Sequence, residues 1–203
     1  MARRTKAEAE ATRSILLDAA EEIFFEKGVS TTSLEQIARR AGMTRGAVYW
    51  HFENKVSLLE ALIDQAKLPL QQMLDDLTDE GLRDHPIEGL KALLKLVMSR
   101  CEEPRYRRVY TIIVYRCEFF DELSSTCREK DSARDALMLI QRQFERADQE
   151  GLLAEGVPPD TAARLVHLAI MGAVYDWLRA PDSYSLSDEG ARVIDLLFSR
   201  LTA

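Results

Sequence analysis

Apolar residues recur along this chain three and four positions apart, which is the spacing of amphipathic α-helices. The pattern predicts a first helix that ends near Lys27, where Gly28 follows, and a last helix capped by Ser187. No stretch alternates with the two-residue period of a strand over a useful length. The sequence therefore predicts an all-α protein.

Residues 31–55 predict two short helices around a tight turn. Thr32 and Glu35 have the spacing of a capping box, which marks the start of the first helix. Gly42 can take the left-handed conformation that ends a helix. The stripe of the first helix is apolar, with Leu34, Ile37, Ala38 and Ala41. This stretch is therefore expected to form a helix-turn-helix.

The second of these helices is expected to begin after Thr44, which can cap it. Val48 and Phe52 lie one turn apart and point inward, so that Tyr49 and Trp50 fall on the outward arc. The alternative is that Tyr49 and Trp50 belong to the core. We favour the outward arc because Val48 and Phe52 already fill the inward face.

An outward arc of this kind suits a DNA groove. Arg45 can bind a guanine edge or a phosphate, and Gly46 leaves no side chain to hold the backbone away from DNA. Arg3 and Arg4 form an arm that either enters a minor groove or remains a solvated tail. The predicted DNA contacts are Arg3, Arg4, Thr32, Ser33, Thr44, Arg45, Gly46, Tyr49, Trp50, His51 and Lys55.

The net charge of −7 looks unfavourable for a DNA-binding protein until it is divided along the chain. Residues 1–55 hold nine Lys and Arg against eight Asp and Glu, whereas residues 56–203 hold eighteen against twenty-six. Residues 39–55 alone contain Arg39, Arg40, Arg45 and Lys55 against Glu53. Positive charge is thus local to the predicted DNA face, as phosphate contact requires.

These residues also carry a resemblance to a known family. The pattern TxxLxxIAxxAGxTRGAxYWHFxNK closely resembles the helix-turn-helix of TetR-family repressors. Residues 1–20, the run at 116–119 and the spaced positions from Gly172 to Leu186 resemble the AcrR-type subgroup, which represses multidrug-efflux operons. The resemblance implies a helix-turn-helix domain at residues 1–53 and a larger helical domain for ligand binding and dimerisation at residues 54–203.

In the resembled family, the last two helices pair with those of a second subunit in a four-helix bundle. Both helices carry more apolar surface here than one face needs, and Gly172 would permit a close helix crossing. The expected homodimer would bind a near-palindromic operator. Ordinary monomer core is the alternative role for the residues predicted at the dimer interface, Ile170, Val174, Ile194, Leu197, Phe198 and Leu201.

A pocket for a small lipophilic effector is expected among the helices of the larger domain. Methionine and aromatic side chains make adaptable apolar walls, and Glu118 or Asp176 could pair with a cationic ligand. For any one of these residues, core packing or a solvated charge is the alternative. The predicted set is Met98, Tyr106, Tyr110, Val114, Glu118, Phe120, Leu137, Met138, Met171, Tyr175, Asp176 and Trp177.

Other functions find little support in the sequence. The three histidines are scattered, and no metal-ligand spacing, phosphate-binding loop or nucleophile motif is present, so we expect no enzyme activity, no metal and no cofactor. No signal peptide or membrane-spanning stretch is evident, which favours the cytoplasm with reduced thiols. Redox sensing by Cys101, Cys117 or Cys127 stays open, although a small buried hydrophobic role is favoured.

Two functions from different classes remain. In the first, a dimeric repressor binds an operator, is released by small lipophilic or amphipathic compounds, and controls a multidrug efflux operon, as the resemblance implies. In the second, the chain is a DNA-binding adaptor or architectural protein whose larger domain binds a protein partner. The two hypotheses differ in whether a small molecule weakens operator binding.

Overall fold

The computed structural model describes residues 6–65, 85–116 and 128–203. Within these ranges the regular structure is helical, apart from an isolated bridge between Leu153 and Thr202. This confirms the predicted all-α fold class. The described residues form two compact units, one of residues 6–65 with 108–116 and one of residues 85–107 with 128–203. The predicted domain boundary after residue 53 stays a prediction.

The first unit contains the DNA-binding helices expected from the sequence. Its helices are α1 (Lys6–Lys27), α2 (Leu34–Arg40), α3 (Arg45–His51) and α4, of which residues 55–65 are described. The last part of α6 (Pro104–Thr111) and a π-helical turn at Ile112–Arg116 also belong to this unit. The sequence pattern predicts a continuous stripe here and does not reveal the π-helical turn.

Local signals set most ends of these helices. Gly28 and Gly42 have φ values of 86° and 66°, so both adopt the left-handed conformation expected at helix ends. The Thr44 hydroxyl accepts the hydrogen bond of Ala47 N, which confirms it as the cap of α3. The Asn54 side chain accepts from Ser57 N at 2.9 Å and caps α4. Gly28, Gly42 and Thr44 therefore act as the sequence predicts.

The predicted capping box of α2 is wrong by one residue. Ser33 is the N-cap, its hydroxyl accepts from Gln36 N, and the Gln36 side chain accepts from Ser33 N at 2.8 Å. The Thr32 hydroxyl instead donates to Gly28 O at 2.7 Å, and the residue is buried. Both pairs fit the capping-box spacing, and the inward position of Thr32 decides between them.

The core of the first unit is apolar and continuous through its helices. Helix α1 packs on α2, and α2 packs on α3. The side chains that fill this core are fully or almost fully buried, and they are Leu16, Leu17, Ala20, Phe24, Ile37, Val48, Phe52, Leu58 and Leu62. Phe52 and Val48 therefore anchor α3 from its inward side, as the sequence predicts.

The second unit is a bundle of long helices. It contains α5 (Pro86–Cys101), the first residues of α6, α7 (Arg128–Gln149), α8 (Pro159–Arg179) and α9 (Leu186–Leu201). The N-cap of α9 is Ser185, whose hydroxyl accepts from Asp188 N, so the predicted cap at Ser187 is wrong by two residues. Leu186, at the first helical position, is completely buried and fixes this start.

Helices α5, α7, α8 and α9 pack against one another around a common core. The rings of Phe144 on α7 and Phe198 on α9 are stacked, with centroids 5.7 Å apart. Gly190 lets α9 approach α5 closely, because a Cβ atom at this position would lie 2.7 Å from Cγ of Met98. Any side chain at position 190 would therefore force Met98 to move at this crossing.

Candidate DNA interface

Helix α3 presents a polar and aromatic arc to solvent while its opposite face is anchored in the core. Val48 is fully buried, whereas Tyr49 is 46% exposed and Trp50 is 69% exposed. An exposed tryptophan of this extent is uncommon, since large aromatic side chains usually bury most of their surface. The structure therefore confirms the predicted outward arc of α3 and disfavours the alternative that Tyr49 and Trp50 are core residues.

Arg45 and Tyr49 form a pair along this arc. An Arg45 guanidinium nitrogen donates to the Tyr49 hydroxyl at 3.3 Å, and the guanidinium carbon lies 5.2 Å from the Tyr49 ring centroid. This cation–π contact restricts both side chains before any partner binds. Gly46 beside them has open space, because the nearest atom to an added Cβ would be the Thr44 hydroxyl at 3.9 Å. The arc is thus ordered and open to a close approach by a duplex.

Trp50 and His51 extend the arc towards the end of α3. Their rings meet edge to face with centroids 4.5 Å apart. The His51 and Phe52 rings have centroids 6.2 Å apart, and the Arg13 guanidinium carbon of α1 lies 5.4 Å from the Phe52 ring centroid. The orientation of Trp50 is therefore backed by a chain of contacts that reaches α1.

Thr32 and Lys55 differ from the other predicted DNA contacts. Thr32 is only 3% exposed, with its hydroxyl bonded to Gly28 O, so we leave it out of the proposed contact set. The Lys55 ammonium donates to Ser30 O at 3.0 Å and to Thr32 O at 2.8 Å, and burial lowers its pKa. The Lys55 ammonium thus donates to backbone carbonyls of its own chain.

Arg40 contributes less positive charge to the DNA face than the sequence suggests. Its guanidinium donates to Glu22 at 2.9 Å and to Glu26 at 2.8 Å, which ties α2 to α1. The hydrogen bond to Arg40 holds the pKa of the Glu26 carboxyl below its usual value. Arg39 remains 80% exposed. Proximity in the sequence therefore does not place all of these cations on one face.

The remaining predicted DNA contacts divide into exposed and undescribed residues. Ser33, Thr44 and Arg45 are exposed, and His51 is half-buried. Arg3 and Arg4 lie outside the described residues. The structure brings together an exposed cluster that comprises Thr44, Arg45, Gly46, Tyr49 and Trp50 on α3 and its cap. We call this cluster the α3 arc.

Two contacts connect α1 to α6 and the π-helical turn within the first unit. Arg108 of α6 pairs with Glu21 of α1, whose side chain is only 5% exposed. Val29 N donates to Arg116 O at 2.9 Å, immediately after Gly28 ends α1. A buried carboxylate needs such a partner, because an unpaired charge in the core would be costly. These contacts were not predicted, since residues so far apart in sequence give no local signal.

The predicted effector residues occupy different environments in the second unit. Met98 and Trp177 are buried, with Met98 packed at the α5–α9 crossing and Trp177 donating through Nε1 to Tyr184 O at 3.1 Å. Asp176 accepts from the Tyr184 hydroxyl at 3.3 Å. Met98 is thus already packed against its neighbours, and the polar groups of Trp177 and Asp176 already form hydrogen bonds within the chain. Tyr106 is buried, Leu137 and Met171 are half-buried, and Met138, Tyr175 and Asp176 are exposed.

Four other predicted effector residues fall elsewhere. Tyr110 and Val114 belong to the first unit and are half-buried. Glu118 and Phe120 lie outside the described residues. A surface pocket of about 380 Å³ is present near the start of α5, lined by His85, Pro86, Ile87, Glu88, Glu150, Leu152, Thr202 and Ala203. None of these lining residues was among the predicted effector contacts.

The predicted dimer residues lie on the inner faces of α8 and α9. Ile170, Val174, Ile194, Phe198 and Leu201 are buried within the chain itself, and Leu197 is half-buried. This set therefore packs in the core of the single chain, and its role at a dimer interface stays a prediction. A second apolar stripe faces solvent on the same helices, formed by Leu165, Leu168 and Tyr175 on α8 and by Leu196 on α9. Sequence reasoning missed this stripe, which we call the outer stripe.

Further features bear on the excluded functions. Within the described ranges, no group of three His, Cys, Asp or Glu side chains could hold a metal ion. No helix in the described part of the chain combines the length and apolar character that a bilayer crossing needs. Cys101 is buried, and burial raises the pKa of its thiol to about 12, which keeps it protonated. Cys117 and Cys127 lie outside the described residues.

Comparison with known proteins identifies both halves of the chain. Residues 16–62 match the family of bacterial regulatory proteins named tetR, and residues 85–202 match the C-terminal region of MAATS-type transcriptional repressors. The HTH-type transcriptional repressor BepR of Brucella suis is 34% identical over 206 residues, which cover 99% of this chain and 97% of BepR. The match therefore extends over the whole length of both proteins.

Solved structures agree with these matches. NalD, the secondary repressor of the MexAB-OprM multidrug efflux pump in Pseudomonas aeruginosa, is 38% identical with a TM-score of 0.83 and coverage of 95% of this chain and 96% of NalD. The SmeT–triclosan complex also gives a TM-score of 0.83, at 34% identity, with coverage of 95% and 92%. Membership in a family of transcriptional regulators confirms that the chain is not an enzyme. The chain is a DNA-binding transcriptional repressor and belongs to the TetR family.

Proposed function

We propose that this repressor controls a multidrug efflux operon and leaves its operator when a small lipophilic compound binds. The observation that carries the DNA half of the proposal is the α3 arc, which holds exposed Arg45, Tyr49 and Trp50 on a capped helix with a buried anchor. Two relatives described as repressors of multidrug efflux pumps, NalD and SmeT, support the efflux half. An operator-bound regulator of this kind acts in the cytoplasm.

In this proposal the α3 arc enters a major groove. Arg45 binds a guanine edge or a phosphate, and Tyr49 and Trp50 pack on sugar, phosphate or thymine methyl groups. Ser33 and Thr44 donate to phosphates at the starts of the two helices. The open space around Gly46 allows the backbone to approach the duplex. The Arg45–Tyr49 pair reduces the entropy that DNA binding would otherwise cost.

The homodimer in this proposal uses the outer stripe. Leu168 and Leu196 are each 62% exposed, and Gly172 on α8 has no atom within 4 Å of an added Cβ. Exposed apolar side chains on neighbouring helices mark protein interaction surfaces. A second copy that packed on this stripe would bury it and would present two α3 arcs to a near-palindromic operator.

Effector binding is proposed in the second unit. A relative, SmeT, has been solved in complex with triclosan, a small molecule. Among the effector residues predicted there, Tyr106 is buried and Leu137 and Met171 are half-buried, so all three lie at least partly inside this unit. Binding would lower operator affinity if the effector prefers a conformation of the dimer that fits the operator poorly.

The test is a gel shift on the DNA just upstream of this gene and of its divergent neighbour. The assay is repeated with a panel of lipophilic antibiotics, dyes and phenolic compounds. We expect a shift that some compounds reverse, and we expect Met171→Trp to change that response while operator affinity is kept. A shift that no compound reverses would favour the DNA-binding adaptor, and the absence of any shift would contradict control of the adjacent genes.

A further inference from the structure

Lys55 stands at the first position of α4, directly after the turn that follows α3, the helix that carries the α3 arc. Its ammonium lies within hydrogen-bond distance of two carbonyl oxygens, Ser30 O at 3.0 Å and Thr32 O at 2.8 Å. Both carbonyls belong to the segment that connects α1 to α2. One side chain thus joins the exit of α3 to the entry of α2.

The segment that receives these bonds is held by several further hydrogen bonds. Gly28 N donates to Phe24 O at 2.9 Å, Thr32 N donates to Val29 O at 3.3 Å, and the Thr32 hydroxyl donates to Gly28 O. The next residue, Ser33, caps α2 and is exposed. By donating to the Ser30 and Thr32 carbonyls, Lys55 therefore holds the backbone directly before Ser33 and the start of α2.

A lysine suits this position for a physical reason. The ammonium is compact and carries three donors, so one atom can satisfy two converging carbonyl oxygens. The bond to Ser30 O is exposed and the bond to Thr32 O is partly buried, so it is mainly the Thr32 carbonyl that would bear a desolvation cost if the ammonium moved away. A guanidinium is planar and longer, and it cannot place a single nitrogen in the same way.

We infer that Lys55 is a positioning residue of the DNA interface, which fixes α2 and its Ser33 cap relative to α3 through the Ser30 and Thr32 carbonyls. Sequence position alone favours a different role, because a lysine after the recognition helix can bind a phosphate. The inference rests on the DNA interface proposed above. A Lys55 variant would then bind the operator more weakly because Ser33 and the α3 arc are misplaced relative to each other.

The experiment compares Lys55→Met with Arg45→Met in the full-length protein. Lys55→Met keeps the aliphatic stem and removes the ammonium, whereas Arg45→Met removes a cation of the α3 arc whose described partner, Tyr49, is on the same helix. Operator dissociation constants are measured over a series of salt concentrations. Amide hydrogen exchange at Ser33 and Gln36 is measured without DNA.

For Lys55→Met we expect operator affinity to fall about tenfold or more at every salt concentration, with the salt slope unchanged. Exchange at Ser33 and Gln36 should accelerate. For Arg45→Met we expect the slope to fall by about 0.9 for each phosphate that the variant no longer binds, with exchange unchanged. A lower slope and unchanged exchange in Lys55→Met would overturn the inference, because they would identify Lys55 as a phosphate-binding residue.

Lys55→Arg keeps the inference testable if Lys55→Met does not fold. A phosphate contact tolerates arginine, so native affinity together with native exchange in Lys55→Arg would contradict a positioning role. Faster amide exchange at Ser33 and Gln36 than in the native protein, together with weaker operator binding, would support a positioning role. If the native protein itself fails to bind the operator, the proposed function fails, and the exchange data on the free protein still decide whether Lys55 positions α2.

Discussion

Replacement of Trp50 by alanine removes the more exposed of the two aromatic side chains of the α3 arc. The residue is 69% exposed, so its loss should leave the core and the free energy of unfolding almost unchanged. A tryptophan side chain can bury roughly 250 Å², of which about 170 Å² is therefore available to a partner. At about 25 cal/mol per Å² this corresponds to about 4 kcal/mol if DNA covered it completely.

The measured loss should be smaller than this ceiling. A duplex covers a side chain incompletely, and ordering it on binding has an entropic cost. We expect Trp50→Ala to weaken operator binding by about 1.5–3 kcal/mol, which is roughly 10- to 150-fold in the dissociation constant. Fluorescence anisotropy with labelled operator DNA measures the dissociation constant, and thermal unfolding by circular dichroism measures stability in parallel.

Leu152→Ala is the matched control, since Leu152 is an exposed apolar residue, at 39%, that belongs to the second unit and not to the unit that contains α3. This variant should bind the operator as the native protein does. Native affinity in Trp50→Ala would refute the reasoning, because it would mean that the α3 arc does not face the DNA. A loss of affinity matched by a large loss of stability would instead assign Trp50 a structural role.

Three further changes test the packing and the surfaces described above. Gly190→Ala should destabilise the protein by about 1–3 kcal/mol in chemical denaturation, because its Cβ would lie 2.7 Å from Met98 Cγ, although alanine normally stabilises a helix. Gly46→Ala has open space in the free protein, so it should unfold no more easily than the native chain yet bind the operator more weakly; equal affinity would contradict a close backbone approach. Leu168→Glu or Leu196→Glu should convert the proposed dimer to monomers in sedimentation velocity, and a variant that remains dimeric would exclude the outer stripe as the interface.

The helix-turn-helix could be predicted closely because its determinants are local. Gly42 and Thr44 act within one turn of their own positions, and the buried Val48 fixes which arc of α3 faces outward. The errors arose where two local signals compete. Thr32 and Ser33 both precede a suitable partner by three residues, and only the hydrogen bond from Thr32 to Gly28 O shows which one points inward.

The dimer and effector residues could not be predicted to the same degree, since their roles depend on distant parts of the chain. Helix α8 carries two apolar stripes, and periodicity does not show that Val174 faces the core while Leu168 faces solvent. Trp177 and Asp176 look available until Tyr184, from the loop after α8, takes up their polar groups. Which stripe faces the core, and which polar groups are already bonded, depends on how the helices pack, and the pattern of a single sequence does not show that packing.

The positive charge of the DNA face is smaller in the folded chain than in the sequence. Residues 39–55 include four cations, but Arg40 is directed at Glu22 and Glu26, and Lys55 donates to backbone carbonyls. Each phosphate contact contributes about 0.9 to the salt slope, so these two residues should add less than their number suggests. Within the described residues, operator recognition would then depend more on the shape and aromatic surface of the α3 arc than on counter-ion release. Such an interface gains selectivity over non-specific DNA, because non-specific binding draws almost entirely on the electrostatic part.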